Sequence, residues 1–153
     1  MAKKTSDANS VAGAKKAMEN ALAGTFQPPK ETPLSEKDLP FWNAIVRARA
    51  REEWDENTLQ VAAQLARTRR MIEESEKLLE LEGAIISNDR GTPIKNPLFS
   101  VIEDLTRRQM ALMRSLQVTA TATAGQGIHN KPKRNAEKNA RAANSQTDDS
   151  LLG

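Results

Sequence analysis

The residues able to do chemistry are few. The only histidine, His129, lies between Ile128 and Asn130 with no carboxylate or second base spaced to orient it, so it reads as a solvated tail residue rather than a proton carrier. There is no cysteine, which removes thiol nucleophiles, disulfides, zinc–thiolate sites and iron–sulfur clusters, and fits a reducing compartment. No Gly-x-x-x-x-Gly-Lys-Ser/Thr loop is present, and Gly91-Thr92-Pro93 lacks phosphate-cradling spacing. Glu52, Glu53, Asp55 and Glu56 are numerous enough to collect magnesium, but they straddle a predicted helix start, where carboxylates meet the positive end of the helix dipole. Capping is the better reading. Glu73, Glu74, Glu76 and Glu80 alternate with Arg69, Arg70 and Lys77 at i+3 and i+4 spacing, the pattern of a solvated helix face. An enzyme, a metal site and a cofactor are therefore not expected.

The arginines are more informative. At 100° per residue, Arg67 and Arg70 fall about 200° and 140° from Leu65, away from its apolar seam. Arg47 and Arg51 fall about 140° and 180° from Trp42, whereas Arg49 returns to the apolar side. Arg107 and Arg114 lie opposite Leu98. Arg47, Arg51, Arg67 and Arg70 are thus candidates for phosphate contacts, and Lys131, Lys133, Arg134, Lys138 and Arg141 could add sequence-independent attraction to DNA. The competing reading is that these cations only solubilise helices.

The elements that must carry these residues follow from composition. The 153 residues are 38% hydrophobic, 3% aromatic and 28% charged, with a net charge of +3, lean for one packed globule and compatible with an anionic partner. Composition divides the chain at 33 and 125. Both ends are basic and Ala- or Asn-rich, unable to bury enough to order themselves, and the middle is nearly neutral. No apolar run approaches the roughly 18 residues of a membrane span, and Met1-Ala2-Lys3-Lys4 precedes polar residues, so a soluble, unexported protein is expected.

Pro40 in a first turn, followed by Phe41, Trp42, Ile45 and Val46, predicts a helix over about 39–50. Asp55 is placed to cap a second helix, ended by Gly83 after roughly 40 Å. Its heptad row Thr58, Leu65, Ile72 and Leu79 needs a partner. Residues 84–94 have apolar arms around an Asn/Asp/Gly turn, the pattern of a small β-like hairpin. Asn96-Pro97 starts a third helix to about 117, with Leu98, Leu105 and Leu112 in one row and Ile102, Gln109 and Leu116 in the other. The two long helices should fold back antiparallel, with Leu98, Ile102, Leu105, Leu112 and Leu116 packing within the hairpin or between subunits. Phe99, Met110 and Met113 form a second apolar strip, free for self-association unless the first helix covers it. The first two helices also suggest a helix-turn-helix, although Asp55 and Glu56 would lead its second helix towards phosphates.

The order of parts resembles the small terminase subunit of tailed double-stranded DNA bacteriophages. It rests on Pro28-Pro29 closing an Ala-rich arm, Pro40-Phe41-Trp42-Asn43-Ala44-Ile45, Trp54 before a long helix, Asn96-Pro97, and the tail Lys133-Arg134-Asn135-Ala136-Glu137-Lys138-Asn139-Ala140-Arg141. The resemblance implies a non-enzymatic, ring-forming protein of the host bacterial cytoplasm that recognises the packaging site on viral double-stranded DNA. It also implies a role in recruiting or regulating the large terminase, which holds the ATPase and nuclease. The expected fold is all-α: a disordered basic arm over 1–33, a helix-turn-helix-like DNA-binding region over 34–66, an oligomerising hairpin over 56–117 and a flexible basic tail over 118–153. A dimeric helix-turn-helix regulator and a coiled-coil adaptor without a DNA role are the alternatives.

Overall fold

A computed structural model describes residues 10–118 and 131–151. Among the described residues there are five helices, α1 (Val11–Leu22), α2 (Leu39–Val46), α3 (Glu56–Glu82), α4 (Leu98–Ser115) and α5 (Lys131–Leu151), and one small sheet of β1 (Ile85–Ser87) and β2 (Pro93–Lys95) between α3 and α4. Short 3-10 turns at Glu36–Asp38 and Arg51–Glu53 lead into α2 and α3.

The α3–α4 hairpin is built from signals local to the chain. Asp55 accepts from the Thr58 backbone N–H at 2.7 Å while Thr58 Oγ1 accepts from the Asp55 N–H at 2.9 Å, a reciprocal cap that fixes where α3 starts. Gly83, at φ 85°, ends it in a conformation an L side chain rarely takes. β1 and β2 then pair antiparallel with Ile86 opposite Ile94, and Asn88 Oδ1 closes their turn by accepting from the N–H groups of Arg90 and Thr92. Buried Asn96 joins the two helices: its amide donates to Glu82 and to the Gly83 carbonyl, and its Oδ1 accepts from the Leu98 N–H, all at 3.0 Å. Returning antiparallel, α4 turns Leu98, Ile102, Leu105 and Leu112 half-buried towards its neighbours, and Leu116 closes the seam fully buried.

The core lies at the base of this hairpin. Trp42, Ile45 and Val46 of α2, together with Trp54, pack on Ala62, Ala63, Leu65 and Ala66 of α3 and on Leu116. The alanines let α2 approach α3 closely enough for both indoles to be covered. Each indole N–H keeps a partner, Trp42 donating to the Phe26 carbonyl at 2.9 Å and Trp54 to the Val46 carbonyl at 3.1 Å. Arg49 does lie on the apolar side: its guanidinium stacks over Trp54 at 4.9 Å and donates to the carbonyls of Leu116 and Glu53. Met113 packs against this core, while Met110 stays exposed and Phe99 receives Lys95 over its ring, so the second apolar strip of α4 is only partly covered.

Three expectations are corrected. The first core helix ends at Val46 rather than near 50, because Ala50 turns extended to bury its methyl group before the 3-10 turn. Residues 47–55 consequently separate α2 from α3, a longer connection than the 3–4-residue turn of a helix-turn-helix. The terminal segments read as unordered also contain α1 and α5, which pack on each other. Their contact surface holds alanine and charged groups, with Ala17 and Glu137 buried, so neither helix announces a partner through large apolar residues.

Candidate nucleic-acid interface

Three of the candidate phosphate contacts meet in one groove. Arg47 follows the end of α2, Arg51 opens the 3-10 turn, and Arg141 projects from α5. Together with Phe26 they line a groove of about 410 Å³. Arg51 is held in place: its guanidinium lies over the Phe26 ring at 4.2 Å and donates one N–H to the Gly24 carbonyl at 2.9 Å. Arg141 donates to Glu137 one turn earlier on α5 at 3.2 Å. A guanidinium has five N–H donors, so each of these arginines keeps donors beyond its internal bonds. Arg47 is exposed. Three arginines lining one groove suit a phosphodiester, to which a guanidinium can present paired donors.

The other candidates are placed differently. Arg67 donates to the Pro33 carbonyl, tying α3 to the segment before α2. Arg70 bonds Asp38 at 2.7 Å and also pairs with Glu74. Lys133 pairs with Glu52 at 2.6 Å, and Arg134 grips Glu53 with Nε at 2.9 Å and Nη2 at 2.7 Å. Lys138 is exposed on α5. Lys131 begins α5, its side chain outside the described residues, and His129 also lies outside them. On α4, Arg107 pairs with Glu103 and Asp104 within its own helix.

The acidic cluster divides by role. Only Asp55 caps α3; Glu53 accepts from the Ala50 N–H at 2.6 Å and from Arg134, and Glu52 takes Lys16 and Lys133. Burial works against the Glu53 carboxylate, but its Arg134 and Ala50 bonds outweigh this and hold its pKa below the usual glutamate range. Lys133 and Lys16 hold Glu52 low in the same way. Burial also opposes ionisation of Asp38, yet bonds from the Ser35 hydroxyl and N–H and from Arg70 keep its pKa depressed. Desolvation lowers the Arg49 pKa, partly offset by Glu53. Among the described residues no group of three or more acidic or histidine side chains is arranged to hold a metal ion, and no helix is long and apolar enough to cross a membrane.

Sequence reasoning missed the partners of the cations. Phe26, Asp38, Glu52, Glu53 and Glu137 decide which arginines and lysines face solvent, and all but Glu137, one turn from Arg141, lie far along the chain from the side chains they hold. One local signal existed for Glu137, a single acid inside the basic run 131–141.

The chain is similar, over nearly its whole length, to a viral terminase small subunit: it is 31% identical over 155 residues to "Terminase, small subunit" of Enterobacteria phage HK97, across 99% of this chain and 96% of that protein. A model of the Hendrixvirinae small terminase family matches residues 1–153, and the chain belongs to that family. Its role is accordingly in viral genome packaging. Small terminase subunits are generally non-enzymatic DNA-recognition proteins.

Proposed function

We propose that this protein starts genome packaging by binding the packaging site of the viral double-stranded DNA and by recruiting or regulating the large terminase, as a homo-oligomer in the host bacterial cytoplasm. The observation that carries the DNA reading is the convergence of Arg47, Arg51 and Arg141 on one open groove. Contacts of this kind attract the phosphate backbone whatever its sequence, and an assembly multiplies them through effective concentration. Self-association is supported by apolar side chains left in solvent along the hairpin, among them Met71, Leu78, Leu81, Val101 and Met110.

Arg47 gives the cleanest test, because it is exposed and contributes nothing to the buried core. Arg47→Ala is expected to weaken binding to packaging-site duplex several-fold and to flatten the slope of log affinity against log salt by about 0.9, with assembly unchanged. Fluorescence anisotropy over a series of salt concentrations reads both quantities. An unaltered slope removes Arg47 from the interface.

A further inference from the structure

We propose that α5 is a wall of the phosphate groove, clamped in place by acidic side chains of the 3-10 turn, so that the groove holds DNA fully only while the two ends of the chain are docked. The proposal rests on the DNA-binding reading above and adds a requirement to it.

Arg47 and Arg51 come from the core, and Arg141 reaches them only because α5 is docked. Two kinds of contact hold it there. Arg134 and Glu53 form a two-pronged pair whose side chains are 15% and 7% exposed, and Lys133 and Lys16 share Glu52. Glu137, 3% exposed, accepts from the Asn20 amide of α1 at 2.9 Å, from the Arg51 backbone N–H at 3.2 Å and from Arg141 at 3.2 Å. A single buried carboxylate therefore fixes the backbone of one groove arginine and the guanidinium of another. Docking engages Lys133 and Arg134 as anchors and delivers Arg141 as a ligand. The opposite view is that all cations of α5 act by diffuse attraction, in which case docking only masks two of them.

The two views differ in sign. Glu53→Arg and Glu137→Ala both make the protein more positive, so diffuse attraction predicts tighter DNA binding. The clamped groove predicts weaker binding, by about tenfold for loss of one arginine contact and disorder of its neighbour. Because the chain has no cysteine, spin labels on cysteines placed at Lys15 of α1 and Lys138 of α5, both exposed, report docking in the full-length protein. Anisotropy with a fluorescein-labelled mixed-sequence duplex reports affinity. Both single variants are expected to lengthen the label distance and weaken binding, and Glu53→Arg/Arg134→Glu, which restores the net charge and reverses the pair, is expected to recover most of both. Variants that bind DNA as well as the unmodified protein overturn the proposal, whether α5 has stayed docked without its anchors or has left without consequence. If the unmodified protein fails to bind the duplex even at low salt, the DNA reading itself falls. That result is distinct from either outcome in the variants.

Discussion

At the scale of single residues, the side chains that matter most are those that hold a cation in place. Asp38, 2% exposed, accepts from the Ser35 N–H and hydroxyl on one oxygen and from Arg70 Nε on the other, joining the entry of α2 to the middle of α3. Removing Asp38 takes the shared acceptor from the Ser35 N–H and hydroxyl and from Arg70, which keeps Glu74 as a partner on its partly exposed side. Asp38→Ala is expected to cost about 2 kcal/mol in urea unfolding followed by Trp fluorescence, through these lost bonds, with Arg70→Met costing less. Periodicity set Arg70 about 140° from the Leu65 seam, a direction that reads as solvent. It could not reveal that Asp38 waits on that side, because nothing in a helical repeat reports a partner 32 positions away. Arg49 shows the converse: its inward side was legible although it lies past the end of α2, and its ring partner, Trp54, was not.

At the scale of elements, legibility follows how locally each is specified. Asp55 and Gly83 bound α3 through contacts within four residues, so its limits could be read from the sequence. The α4 seam could be read from its heptads for the same reason. For α1 and α5 the stabilising contacts are ion pairs and one buried carboxylate, bridging residues that composition alone leaves unassociated. Their docking should also depend on pH. Glu52 and Glu53 have native pKa values below their unfolded ones, so their contribution is full above the unfolded value of about 4.3 and is lost as pH falls through the depressed native values. Distance measurements between labels on α1 and α5 are expected to hold constant from neutral pH down to that point and lengthen below it. Undocking that instead begins near pH 6 would assign the helix contact to other groups.

At the scale of the whole molecule, one chain leaves more apolar surface in solvent than its core requires. Leu81 is 85% exposed near the end of α3 and Ile85 is 61% exposed on the adjoining strand, while the core sits at the opposite end of the hairpin. Native mass spectrometry is expected to give a discrete multi-subunit assembly. Leu81→Glu, which removes no buried contact within the chain, should shift it towards smaller species at micromolar concentration. A monomer throughout would confine every DNA contact to the single groove.

The bonds between the two ends of the chain also set an order of assembly. Asn20 meets Glu137 across 117 residues and Glu53 meets Arg134 across 81, whereas the hairpin joins neighbours through a short turn. Closing so long a loop costs entropy before any contact repays it, and such contacts lag behind local ones. During synthesis α1 emerges before α2, α3 and α4, and its partner α5 only after them. The α3–α4 hairpin is therefore free to collapse on α2 while α1 is still unaccompanied, and closure of the groove has to wait for α5.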